Sequence, residues 1–224
     1  MARDLFPVEL KPPDLAGSQL ADEEELPKFS AAERSISAQI GRFLFRHRGW
    51  LPVPFLAVPL LAHDERTPAQ WIAGIFIMIV GELVRLAGVA AAGHKTRRRS
   101  RHVEELVTYG IFAWTRNPLY VGNFLLWVGI VVVSGVFWFL PVAVLLFAAE
   151  YSLIVRYEEG VLESIFGREY LGYRQCTPRW VPKRPRHPVK GPMDWSGAFR
   201  SEASTFAAYV VLLAAFAVKD YLEA

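Results

Sequence analysis

Arg116, Asn117, Pro118, Leu119 and Tyr120 form a group whose types and order could hold an anion. Pro118 suits the first turn of a helix, where its missing N–H costs nothing. An arginine, an amide and several free helix-start N–H groups then meet where an apolar segment begins, which is a place for a carboxylate. Upstream, Glu105, Leu106 and Val107 lead to the turn residue Gly110 and the rings of Phe112 and Trp114. Ring faces and carboxylates both attract cations. About forty residues on, the chain presents Arg156, Glu158 and Glu159, followed by Tyr170 and Tyr173. Singly, each has an ordinary reading. Arg116 could snorkel to headgroups, Glu158 and Glu159 could line a solvated helix face, and Trp114 could anchor at an interface. Together they suggest two polar islands closing into one site.

The elements that must position them are helices in a membrane. The chain of 224 residues is 53% hydrophobic, yet it holds 25 Lys and Arg and 22 Asp and Glu. The charges sit in blocks between apolar runs, as in a multi-span protein. The reading is all-α: a polytopic integral membrane protein with about five transmembrane helices, a cytosolic-side C-terminal cofactor-binding region and an N-terminal amphipathic helix. Residues 1–28 are polar, rich in Pro and acid, and read as a flexible arm. Residues 29–48 read as an amphipathic helix, with Ser30 and Glu33 as a capping box, that either lies on the cytosolic interface or packs on the rest of the protein. Residues 49–202 form the core, and 203–224 a further C-terminal span.

Within the core, residues 49–62 are apolar but broken by prolines, and 71–92 are a full span carrying Glu82 and Arg85 on one face. Runs 119–133 and 136–151 form a hairpin about Ser134 and Gly135, and Pro141 is expected to kink the second helix. The basic block Lys95 to Arg101 follows a span directly, so it reads as a positive-inside signal facing anionic headgroups rather than as a nucleic-acid site. With that block inside, the loops place the N-terminus and both polar islands in the cytosol, as in a multi-pass bacterial inner-membrane protein.

One cysteine, Cys176, excludes an internal disulfide and a cysteine-based metal site. The five histidines make no metal-binding pair, and no phosphate loop, nucleophile elbow or dinucleotide fingerprint is present. No metal is expected.

The stretches LVTYGIFAWTRNPLYVG and EEGVLESIFGREYLGYRQCTPRWVP resemble the isoprenylcysteine carboxyl methyltransferases. More broadly, they resemble membrane methyltransferases that include the phospholipid methyltransferases. The resemblance implies methyl transfer from S-adenosylmethionine to a lipophilic acceptor at the membrane–cytosol interface. Carried over by position, Glu105, Leu106, Val107, Gly110, Phe112, Asn117, Pro118, Leu119 and Tyr120 would surround the cofactor, and Tyr170 and Tyr173 would close it in. Arg116, Glu158 and Glu159 would serve the chemistry, and Arg156 with Glu158 would meet the substrate.

Two departures stand out. Asn117 replaces the family histidine and cannot titrate. Phe112 replaces a tyrosine and loses its hydroxyl. Displacement at a sulfonium depends on alignment, and only an amine acceptor needs a base. Isoprenylated cysteine, phospholipid amine, small thiol and other isoprenoid acceptors all satisfy this reading. The C-terminal region also resembles sterol-reductase-type membrane enzymes, which use NADPH. A non-enzymatic membrane protein with a degenerate site is the third reading.

Overall fold

The computed structural model describes residues 36–49, 52–62, 66–93, 105–185 and 190–223. The described residues form α-helices and short 3-10 turns without strands. The helices are α1 (Ile36–His47), α2 (Pro52–Leu61), α3 (Pro68–Ala92), α4 (Pro118–Ser134), α5 (Leu140–Phe166), α6 (Arg168–Cys176) and α7 (Trp195–Glu223). The arm at 1–28, the Ser30–Glu33 pair, the basic block Lys95 to Arg101, and His63, His94, His102 and His187 lie outside the described residues.

Local chemistry sets the helix ends. Thr67 and Gln70 form a capping box before α3, and Pro68 sits in its first turn. α4 ends at Gly135, whose φ of 76° allows the tight reversal expected at Ser134 and Gly135. A 3-10 turn over Phe137–Phe139 follows, and α5 starts only at Leu140. Pro141 therefore lies in the first turn of α5, where it interrupts no hydrogen bond, and the expected kink is absent. The helix then runs unbroken to Phe166, so the span and the polar segment after Tyr151 are one rod.

α3 and α4 pack through glycines. A Cβ on Gly81 would fall 2.8 Å from the Gly122 carbonyl oxygen, and one on Gly122 would fall 2.6 Å from that of Gly81. Gly74 and Gly129 meet in the same way. Seven-residue spacing puts each set on one helix face, and close backbone approach gives the packing that lipid cannot supply. Between α4 and α5 the contacts are aromatic, with Trp127, Phe147 and Tyr151 in mutual ring contact and Phe55 of α2 stacked on Trp127 at 3.9 Å.

α7 begins at Trp195, eight residues before the expected last span, and brings Glu202 to the intramembrane charges. Arg85 pairs with Glu202 at 2.9 Å and with Glu82 at 3.2 Å, and also donates to Asn123 of α4. Glu82 and Arg85 thus form an ion-paired cluster in the bundle interior. At the far end of the bundle, Arg66 donates to the Ser134 carbonyl, Lys219 reaches the Leu60 carbonyl, and Trp71 donates to Asp220. The polar islands lie at the opposite end.

Among the described residues, three helices are long and apolar enough to cross a membrane: Pro68–Ala92, Phe137–Phe166 and Trp195–Leu222. α4, with 17 residues, is shorter. Within the proline-broken run expected at 49–62, the described helix α2 starts at Pro52, separate from α1, which ends at His47. Ten residues of α2 rise only about 15 Å, half the hydrocarbon thickness.

Candidate functional site

The loop before α4 is stitched to the segment after α6. The Arg116 backbone N–H donates to Pro178 O at 2.9 Å, and that of Lys183 to Trp114 O at 2.9 Å. The Thr115 hydroxyl and the Asn117 side-chain amide both donate to Arg179 O, each at 3.1 Å. Tyr173 donates its hydroxyl to Phe112 O at 2.7 Å. These bonds join residues about sixty positions apart, so the two islands form one structural unit.

Glu159 lies at its centre and is 5% exposed. Arg116 donates to Glu159 Oε1 from Nε at 3.2 Å and from Nη2 at 3.0 Å. Arg179 grips the same carboxylate through Nε and Nη2. The remaining Arg116 contacts go to the carbonyls of Arg174 at 2.7 Å and Thr177 at 2.9 Å. A guanidinium has five N–H groups, so Arg116 is largely committed to protein partners. It orients the segment and is not open to a ligand carboxylate.

Beside this unit lies a cavity of about 1390 Å³. Ordinary small-molecule sites run to about 300–1,000 Å³, so a nucleoside and an acceptor head group could share this one. Arg116, Glu158 and Glu159 border it, as do Glu105, Leu106, Val107, Phe112, Asn117, Pro118, Leu119, Tyr120, Tyr170 and Tyr173. Gly110 does not. Its φ of 59° serves the turn, and its α-carbon faces Met193 and Ala91. Arg156 does not either, since it points outward from α5 and is exposed.

Arg85 of α3, which the sequence marks together with Glu82, also borders the cavity. So do residues not singled out by sequence: Arg48 just past the end of α1, Asn123 of α4 and Glu202 of α7. Arg48 Nη1 lies 3.1 Å from the Tyr120 hydroxyl and 3.4 Å from Glu158 Oε1. The wall near α3 is held by Tyr109, which donates to Ala91 O at 3.0 Å, and by the Asp194 N–H, which donates to Ala90 O at 2.9 Å. Arg179 falls within the second quoted stretch, but no local spacing reveals that it turns back to Glu159.

Three features suit a polar ligand carrying both charges. α4 starts without a side-chain cap at Asn117, which leaves the positive end of its dipole facing the cavity. Glu158 is held by one arginine, whereas Glu159 is held by two. The Tyr170 hydroxyl is buried with no hydrogen-bond partner among the described residues. Burial pushes the Tyr170 and Tyr173 hydroxyls up from their ordinary value, so both stay protonated as donors.

A family model for phospholipid methyltransferases matches residues 69–169. The chain is 34% identical over 125 residues to protein-S-isoprenylcysteine O-methyltransferase B of Arabidopsis thaliana, covering 50% of this chain and 60% of that protein. It is 32% identical over 127 residues to the protein-S-isoprenylcysteine O-methyltransferase of Homo sapiens, covering 50% and 40%. Against the cobalt-zinc-cadmium resistance protein CzcN of Cupriavidus metallidurans it is 30% identical over 151 residues, covering 66% and 69%. The chain thus spans about half the length of the isoprenylcysteine methyltransferases it matches. No solved structure matches it.

Proposed function

The chain belongs to the family of isoprenylcysteine and phospholipid methyltransferases, and from that footing we propose that it methylates a lipophilic acceptor at the cytosolic face of a membrane, with S-adenosylmethionine as donor. The observation that carries this is the joining of both motifs around one cavity, into which Glu158, Tyr170 and the uncapped start of α4 face.

The donor, when bound, supplies an electrophilic methyl group on a positive sulfonium. The protein's part is to bind and align. The start of α4 would take the donor's carboxylate, since Arg116 is engaged elsewhere. Tyr170 would donate its unused hydroxyl. Glu158 would stabilise the donor's positive charge or accept the proton of an amine acceptor. Glu159 and Arg116 would act as positioning residues that keep the two motifs together. A greasy acceptor would enter sideways between helices, with its reacting group at the polar end.

The topology of this reading has five passes: residues 49–62, α3, α4, α5 and α7. The pass at 49–62 is short, with α2 contributing ten residues, and would cross tilted or re-enter. The positive-inside rule places the cavity end in the cytosol. Two of the three named relatives are isoprenylcysteine O-methyltransferases, and an isoprenylcysteine-like carboxylate is one acceptor class this site would accept.

Thermal unfolding of the purified protein tests the donor assignment. S-adenosylmethionine at 100 times its Kd should stabilise the protein by about 2.7 kcal/mol, and NADPH should leave it unchanged. Stabilisation by NADPH alone would overturn the assignment in favour of a reductase.

A further inference from the structure

The helix α1 lies outside the stretch that the family model matches, yet it forms one wall of the cavity. Its residues divide into three stripes. Gly41 and Phe45, with Arg48 in the turn just past the helix end, face the bundle. A Cβ on Gly41 would fall 2.5 Å from the Leu153 carbonyl oxygen, Phe45 lies 5.8 Å from the Tyr157 ring, and Arg48 reaches Tyr120 and Glu158. Ile36, Ile40 and Phe43, at i, i+4 and i+7, share a second face and are 77%, 44% and 60% exposed. Arg42 and Arg46 lie between these two faces at the rim of the cavity; both are exposed, and Arg42 sits over the Tyr157 ring at 5.7 Å.

An exposed apolar stripe beside a basic one, on a helix at the end of a bundle of apolar helices, matches the surface of an anionic bilayer. The apolar residues enter the acyl boundary and the arginines meet headgroup phosphates. The stripe that faces the cavity is thereby tied to the lipid on the same short helix.

We propose that α1 is a lid seated on an anionic membrane surface, and that this seating holds Arg48 against Glu158 and Tyr120 and so closes the cavity wall. Arg48 is then a positioning residue for Glu158. Leaving the bilayer surface frees α1, withdraws Arg48 and opens the cavity to water. The consequence for turnover rests on the methyl-transfer reading above, but the closure itself does not.

The test uses the full chain in vesicles, with Ala92, at the cavity wall, replaced by cysteine. Cys176→Ser removes the only native cysteine. A membrane-impermeant maleimide should label Ala92→Cys slowly in phosphatidylglycerol vesicles and faster in phosphatidylcholine vesicles. Ile40→Asp with Phe43→Asp should raise the rate about tenfold, as should Arg48→Ala, since each removes interactions of that order. Arg48→Lys should retain part of the closure. If the aspartate pair blocks insertion, Ile40→Ser with Phe43→Ser replaces it. Equal labelling in all variants and both lipids overturns the proposal. So does an oligomeric mass that changes with the stripe variants while lipid charge has no effect, because the stripe would then bind a second copy. Labelling needs neither donor nor acceptor, so a protein that closes α1 but transfers no methyl group would overturn only the functional reading.

Discussion

Arg116 and Glu159, 43 positions apart in the chain, meet as a buried ion pair at 3.0 Å, with side chains 9% and 7% exposed. Arg179 completes the cluster from the other side of the same carboxylate. Removing one member of a buried pair leaves a charge without compensation, at a cost of about 3–5 kcal/mol. Glu159→Gln should destabilise the protein in detergent on that scale, Arg116→Ala should cost less because Arg179 still pairs with Glu159, and both should reduce activity through misplacement of the motifs. The double variant should lose less than the sum of the two, giving a coupling energy in a double-mutant cycle of thermal unfolding.

Glu158 should behave differently, because among the described residues only Arg48 pairs with it. Glu158→Gln is expected to leave the unfolding temperature within a few degrees of wild type. With an amine acceptor, kcat should fall by about 10²–10⁴, as for loss of a general base. With a carboxylate acceptor the fall should be much smaller. Initial rates with acceptors of both kinds measure the split.

The two lid tyrosines separate binding from stability. Tyr173→Phe removes the hydrogen bond to Phe112 O and should cost about 1 kcal/mol of stability. Tyr170→Phe removes a hydroxyl that has no partner among the described residues, so stability should hold or rise while donor affinity falls several-fold. Both hydroxyls have folded-state pKa values raised above the unfolded value of about 10. Their contribution to stability is therefore complete below pH 10 and is lost as the pH rises through the folded values. Denaturation midpoints followed against tyrosinate absorbance should show a decline on the alkaline side that Tyr170→Phe and Tyr173→Phe diminish.

The glycine seam between α3 and α4 should tolerate no added bulk. Gly81→Val and Gly122→Val each place atoms against backbone, as the 2.8 and 2.6 Å approaches require. Overpacking of this kind costs about 1–3 kcal/mol. The loss should appear in thermal unfolding, and in donor binding too, because α4 begins at the cavity.

Much of this arrangement is legible in the chain because it is local. Apolar run lengths mark α3 and the α4–α5 hairpin, and proline and glycine mark their ends. Residue type alone singles out Asn117, Tyr120, Glu158 and Tyr170, all of which border the cavity. The seven-residue glycine spacing was also visible in the sequence, although its meaning depends on two helices lying side by side. What could not be read comes from distant partners. Glu159 resembles Glu158 in sequence, and only the return of Arg179 after α6 makes one carboxylate locked and the other accessible. Arg48 and Glu202 come from segments flanking the matched region, and their places at the cavity follow from how α1 and α7 dock. Arg156 has a fitting charge, but the helical turn of α5 points it outward. Pro141 was misread because the helix start, moved by the Phe137–Phe139 turn, decides whether a proline kinks.

The most direct measurement is transfer of a tritiated methyl group from S-adenosylmethionine into the organic phase, with purified protein in vesicles made from a total lipid extract. The account predicts label in a lipid with the wild-type protein, and loss of most of it with Asn117→Ala, which disturbs the start of α4, while that variant still inserts and folds. No label from the wild-type protein, or wild-type turnover in Asn117→Ala, would contradict it.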